Sequence, residues 1–234
     1  MYYKLSNVAE LKKIEDTFGS RFKHPKIYKK NQLVNGLNES LIPIVKQGAD
    51  EWIHHAIWGL LPEGFKEEWD IFQSQMNTLN IEADKIEKSK WLSKLLTHQR
   101  CIIIATGFFT NYIFDGKVYP YHIHLPNMTP FAMAGIYSQL DDGFFTSALI
   151  TTTFNEELSQ IQHLGTHMPF ALSSGQKDRW VSNKTSIKQI MNLLNEEPGL
   201  GFQADPVAKE FYKNEIRYSG LLDRVNYVNI PLPK

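Results

Sequence analysis

Cysteine is almost missing from this chain: there is one, Cys101, in 234 residues. An intramolecular disulfide and a cysteine-rich zinc site are therefore excluded. The flanks of that cysteine, Arg100-Cys101-Ile102-Ile103-Ile104, read as a buried strand, where cysteine serves as a small hydrophobe rather than a nucleophile. An excess of one charge is lacking too, since 25 basic residues face 25 acidic ones. The global electrostatic signature of many nucleic-acid binders is thus withheld, and any such site must be local. No apolar run approaches the roughly 18 residues that span a bilayer. The start, Met1-Tyr2-Tyr3-Lys4, lacks the apolar centre of a secretory signal, so a cytoplasmic protein without a membrane partner is expected. Gly-x-Ser-x-Gly, a phosphate loop and His-Glu-x-x-His are all absent. Neither a cofactor nor a resident metal is expected.

What is present is an ordinary folding composition. Hydrophobic residues make up 42% and charged residues 21%, which argues against disorder. A chain of this length buries a substantial core, and one domain over residues 1–234 is expected. Asn7 to Phe18 reads as a helix capped by Asn7, with Glu10 in the capping-box position and Gly19 ending it. Lys66 to Met76, Ser89 to Leu96, Asn155 to Ile161, Gln176 to Val181 and Thr185 to Asn195 read as further helices. Leu41 to Val45 and Trp52 to Trp58 read as strands, Pro43 marking the first as an edge or a bulge.

The centre is richer in strands. Arg100 to Thr106 is a continuous apolar run. Phe108 to Phe114 and Val118 to Leu125 form a hairpin through Asp115-Gly116, a strong turn signal. Phe131 to Leu140 and Phe144 to Thr153 pair across Asp141-Asp142-Gly143, and Phe211 to Tyr218 and Val225 to Ile230 read as late strands. Helices scattered among antiparallel strands predict an α+β fold. One local stretch, Arg21-Phe22-Lys23-His24-Pro25-Lys26-Ile27-Tyr28-Lys29-Lys30, interleaves basic and aromatic residues without an acid. Phosphates want the charges and bases can stack on the rings; a solvated basic loop is the alternative.

A series of short motifs carries more specific information. In order they are Trp58-Gly59-Leu60-Leu61-Pro62, Asn80 followed by Glu82-Ala83-Asp84, Gly107-Phe108-Phe109, Pro130-Phe131-Ala132-Met133-Ala134-Gly135, Met168-Pro169 and Asp178-Arg179-Trp180. Each is weak alone, but their order and spacing resemble the SOS-response-associated peptidase (SRAP) family over approximately residues 1 to 230. The resemblance implies a curved antiparallel sheet or open β-barrel with peripheral helices. It also implies recognition of abasic sites in single-stranded DNA during the DNA damage response, with a DNA-protein cross-link as product and peptidase-like self-processing.

The residues expected to do that chemistry are altered. In the family a cysteine exposed by loss of the initiator methionine attacks the ring-opened sugar with both amine and thiol, closing a stable thiazolidine. Tyr2 stands there, without a thiol. If Met1 is retained, its amine, with a pKa of about 7.7–8.0, supports at most a reversible Schiff base. Thr110 occupies the position of the family's glutamate and is a poor general acid or base. Gln162 or His163 takes the place of the catalytic histidine, and His163 is the residue still able to work. Asn80 matches the asparagine that orients the nucleophile.

For DNA contacts the resemblance points to Lys4, Trp58 and His167. Lys4 and His167 stand where the family has arginines, and Glu82 replaces a third, phosphate-binding arginine. The expected site is therefore a cleft bordered by Met1, Tyr2, Asn80, Thr110 and His163, in a fold that kept its packing and lost its covalent chemistry. A non-catalytic module that reuses the cleft for a partner or small ligand is the alternative. A metal site would need His122 and His124, His163 and His167, or His54 and His55 to converge.

Overall fold

The computed structural model describes residues 2–48, 51–153, 166–212 and 220–228. The first half of the chain runs β1 (Lys4–Asn7), α1 (Leu11–Phe18), β2 (Arg21–Phe22), β3 (Asn31–Asn35), β4 (Leu41–Lys46), β5 (Trp52–Trp58), α2 (Trp69–Gln75), β6 (Asn80–Glu82), α3 (Ala83–Ile86) and α4 (Lys90–His98). The central meander follows as β7 (Arg100–Ala105), β8 (Gly107–Phe114), β9 (Lys117–His124), β10 (Phe131–Gln139) and β11 (Phe145–Thr153). The remainder is β12 (His167–Pro169), β13 (Ala171–Leu172), α5 (Ser174–Val181), α6 (Ile187–Leu193) and β14 (Gln203–Pro206). The fold is α+β, and no helix among the described residues is long and apolar enough to cross a membrane.

Strand pairing follows from burial. In β7 alternate residues serve two cores: Ile102 and Ile104 face outward to the helices, while Cys101, Ile103 and Ala105 face the sheet's concave side. A strand buried on both faces has to read as a continuous apolar run, as this one does. It lies between β4 and β10 in a sheet ordered β12-β11-β10-β7-β4-β5-β2. That sheet curls until Phe145–Ser147 of β11 run parallel to Ala56–Trp58 of β5. The other half of β11 pairs instead with β6, so the result is an open barrel. A second sheet, β14-β9-β8-β1-β3, holds the opening.

The helices cover the outer face. Trp180 of α5 is fully buried there and donates its indole N–H to the Cys101 carbonyl at 2.8 Å. Arg100 is buried beside it, its guanidinium donating to the carbonyls of Trp180, Leu96, Thr97 and Ser182 at 2.6–3.0 Å. Burial lowers its pKa to about 10, so the charge persists at neutral pH and is held by carbonyl dipoles. The same side chain ties α4, β7 and the end of α5 together.

The hairpins form as expected: Asp115 and Gly116 both have positive φ, the type I′ geometry that follows the strand twist. Elsewhere the structure departs from the sequence reading. Asn7 does not cap α1; it ends β1 and donates to Ile104 O at 3.2 Å, and Glu10 precedes the helix without a side-chain cap. β4 is an interior strand, but its pairing to β7 begins at Ile44, so Pro43 sits at the end of that ladder. The late strand is β14. Of the two late strands expected, Phe211 and Tyr212 fall in a 3-10 turn, Lys209–Tyr212, and residues 225–228 carry no strand, while 213–218 and 229–230 lie outside the described residues. Phe211 packs its ring on Phe109 at 4.5 Å and gives its carbonyl to a lysine side chain. The helix expected at Asn155–Ile161 lies outside the described residues.

Gly107 opens β8 where three groups converge. A Cβ there would meet His122 Nε2 at 2.1 Å, Ile123 O at 2.8 Å and Ser6 Oγ at 2.8 Å. All three are held, His122 Nε2 and Ser6 Oγ by their mutual hydrogen bond and Ile123 O as backbone, so the strain cannot be relieved by one rotamer change. Gly107→Ala is expected to lower unfolding stability by about 1–3 kcal/mol, read from the denaturant midpoint at an unchanged m-value; a midpoint equal to the native protein's would refute the close packing.

Candidate functional site

Tyr2 enters the open end of the barrel just before β1, which lies between β3 and β8. β6 lies alongside β11 with Asn80 opposite Leu149. From there Asn80 Nδ2 donates to the Tyr2 carbonyl at 2.6 Å. The Tyr2 ring is only 6% exposed and meets Phe108 edge-on at 5.7 Å. Its hydroxyl faces Thr110, and neither oxygen has a partner in regular hydrogen-bond geometry. Burial raises the phenol's pKa well above the ordinary tyrosine value, so the group stays neutral. Tyr2, Asn80 and Thr110 thus meet in one place. His163 and Met1 lie outside the described residues.

Behind this group is a buried imidazole pair that the sequence did not place there. Ser6 Oγ and His122 Nε2 are 2.7 Å apart. His122 stacks on His124 at 5.0 Å, and His124 Nε2 lies 3.0 Å from Asp205 Oδ2. The Ser6–His122 separation is that of a nucleophile and its base. Both residues have no exposed surface, however, so no substrate reaches them. Burial first, and His124 second, push His122 down to about 3. It is a neutral core residue, packed on Phe109 at 4.9 Å.

Of the three residues expected to hold DNA, two are engaged internally. Lys4 is 4% exposed, donates its ammonium to Phe211 O at 2.7 Å and sits 4.2 Å over the Phe211 ring. Trp58 is fully buried and donates its indole N–H to Leu79 O at 2.9 Å. His167 is half-buried at the cleft rim. Glu82 is there too, paired at 2.6 Å with Lys85, so its charge is partly offset. In the basic stretch, strand alternation turns Phe22 inward and Arg21 and Lys23 outward. Tyr28 packs on Phe22 at 4.9 Å and donates its hydroxyl to Ala9 O. That surface therefore offers charge without stacking rings.

Among the described residues the suggested histidine metal sites do not assemble, and the pair of His163 with His167 lies partly outside them. His122 and His124 are used internally, as described. His54 meets Phe145 at 5.1 Å, and His55, on the opposite face of β5, meets Phe22 at 5.5 Å. Cys101 is fully buried and its thiol is pushed up to about 12 by that burial, in keeping with a packing role.

Two cavities open at the rim. One, of about 240 Å³, is lined by Tyr2, Asn80, Glu82, Thr151, Thr166 and His167. The second, of about 650 Å³, shares Thr151 and His167 with it and extends past Asp84 to Glu196. Asn80 Oδ1 is buried without a partner. Thr151 and Thr166 had no signal in the sequence, and Asp84 appeared only within a motif, because what brings them to the rim is the pairing of β6 and β12 with β11.

Residues 2–214 match the family model for SOS response associated peptidase (SRAP). The chain is 26% identical over 82% of its length to the abasic site processing protein YoaM of Bacillus subtilis, covering 84% of that protein. It is also 26% identical over 62% of its length to the abasic site processing protein HMCES of Gallus gallus, of which it spans 50%. Among solved structures, a Bacteroides thetaiotaomicron protein superposes with a TM-score of 0.82 at 24% identity, covering 96% of this chain and all of that one. A Bordetella bronchiseptica protein superposes at 0.72 with 15% identity over 88% of this chain and 99% of its own.

The two depressed histidines give the protein a pH signature. His55 is lowered to about 4, mainly by burial, and His122 to about 3. In the unfolded chain both titrate near 6.5. Between about pH 6.5 and pH 4 the unfolded state therefore binds more protons, and stability falls as pH falls. It is fully present above about pH 7. The expected loss approaches ~1.4 kcal/mol per pH unit for each histidine, measured by denaturant unfolding at about pH 7.5, 6 and 5; equal midpoints at the three values would overturn the neutral assignment.

Proposed function

This chain belongs to the SOS response associated peptidase family, and we propose that it recognises abasic sites in single-stranded DNA without forming the covalent cross-link. Its curated relatives are abasic site processing proteins, which supports DNA as the partner. One observation carries the non-covalent reading. The residue at the family's nucleophile position, Tyr2, is a buried neutral phenol that faces a threonine hydroxyl. A thiazolidine needs the α-amine and a thiol on one residue, and a phenol supplies no thiol. Its neighbour Thr110 has no carboxylate to shuttle the proton that ring opening or peptide cleavage requires.

The geometry around that residue supports retained recognition. Asn80 still reaches Tyr2, and its orphaned Oδ1 lines a cavity at the rim. A buried acceptor left unpaired costs about 1–3 kcal/mol, and a ligand donor would recover it. The same cavity favours a second reading, a small-ligand module, since about 240 Å³ holds a compact polar molecule.

The test is to mix the protein, its N-terminus defined by mass spectrometry, with a single-stranded oligonucleotide carrying one abasic site. A denaturing gel is expected to show no shifted band, with or without borohydride. Fluorescence anisotropy is expected to show tighter binding than to the undamaged strand. A band stable without reductant would sink the loss of chemistry. Equal or absent binding to both strands would leave the small-ligand reading.

A further inference from the structure

We propose that Glu82, Asp84 and His167 form a binding site for a divalent transition-metal ion on the rim of the Tyr2 cleft. The ligand-bearing atoms of the three side chains all lie within 4.8 Å of one another. Among the described residues no other group of three histidine, cysteine, aspartate or glutamate side chains converges in this way. The convergence is built by the sheet. Glu82 of β6 sits opposite Thr151, and His167 of β12 sits opposite Thr153 on the other side of β11. Residues two apart on a strand share a face, so Glu82 and His167 reach toward each other over Thr151 and Thr153. Asp84 joins them from the first turn of α3.

The donor chemistry suits a metal. One imidazole and two carboxylates make a three-ligand set of the kind that holds Zn²⁺ with a position left open. His167 Nδ1 lies 3.0 Å from Thr166 Oγ1, an arrangement that orients an imidazole so that its second nitrogen ligates. Two carboxylates this close repel, and the cations beside them are Lys85, 2.6 Å from Glu82, and Lys88, 3.8 Å from Asp84. Both lysines are largely exposed, and exposed ion pairs of this kind contribute little, so a dication displaces them readily. An independent sign of a ligand is the orphaned Asn80 Oδ1, which lines the same cavity as Glu82 and His167. The ion would offset two negative charges where a polyanion has to approach. Only that last consequence rests on the DNA reading; the site itself does not.

The experiment is a calorimetric titration of Zn²⁺ into full-length protein stripped with a chelator, without DNA. One ion per chain is expected. His167→Ala, and a double Glu82→Gln and Asp84→Asn variant, are each expected to weaken binding by about 10–100-fold, while His24→Ala leaves it unchanged. These side chains lie at the surface, and circular dichroism checks that the variants fold. A stoichiometry near zero, or affinity that survives His167→Ala, overturns the site. Because the readout needs no DNA, a protein that binds Zn²⁺ but not abasic DNA fails the functional reading alone.

Discussion

Strand β7 is buried on both faces, and the remainder of the molecule is arranged around that constraint. A double-faced strand needs apolar cover on each side. On the outer side α4, α5 and α6 supply it, clamped by the Arg100 guanidinium across four carbonyls. On the concave side the cover has to come from within the curled sheet. Trp58, Leu79, Phe108, Tyr121 and Met133 fill it, and Tyr2 is the residue that closes the layer at the open end. Position 2, proposed above as the family's nucleophile position, is thus a packing position here. A phenyl ring there buries far more apolar surface than a thiol, at roughly 25 cal/mol per Å², and its burial is what keeps the hydroxyl neutral.

Polar groups inside such a core are normally satisfied, and most are. Lys4 has a carbonyl, and Ser6, Asn7 and Gln73 have partners of their own. Among the described residues the exceptions are concentrated on Tyr2, Asn80, Thr110, His122 and His55. The first three meet at the cleft and the fourth lies behind it. Unpaired buried atoms each carry a penalty of about 1–3 kcal/mol, and packing alone would favour apolar residues there. Their clustering at one place is what a site for an external ligand looks like. The Tyr2 ring consequently plugs the inner end of that site while its outer wall, Asn80 to His167, stays polar.

How much of this was legible depended on whether the signal was local. β7, the β8–β9 hairpin and the β10–β11 hairpin each declare themselves through apolar runs and turn residues, and the structure forms them. β1 and β14 did not, because Lys4-Leu5-Ser6-Asn7 and Gln203-Ala204-Asp205-Pro206 read as polar. Their side chains are accommodated by partners far away in sequence, such as Ile104 O for Asn7 and His124 for Asp205. At the site, motif order pointed to Tyr2, Asn80 and Thr110, which do meet. It could not reveal that Lys4 and Trp58 are spent on Phe211 O and Leu79 O, since both partners are backbone atoms. Nor could it bring Asp84 near His167, since the first follows β6 and the second opens β12, and both strands have to pair with β11.

One hydrogen bond holds the shape of the site whatever side chain stands at residue 2. Asn80 donates to the carbonyl of residue 2, a backbone atom, at 2.6 Å. The position of that residue is therefore set independently of its side chain. β1 adds to this by pairing Leu5 with Phe108 and Ser6 with Gly107, again through the backbone. A change of residue 2 from a thiol to a phenol leaves all of these bonds intact and alters only what fills the space beyond Cβ. The change at position 110 is of the same kind, because Thr110 is held opposite Tyr121 by the β8–β9 ladder. The cleft thus depends on backbone pairing and on a packed core, not on the identity of the side chains at positions 2 and 110. A fold built this way does not need the reaction in order to persist.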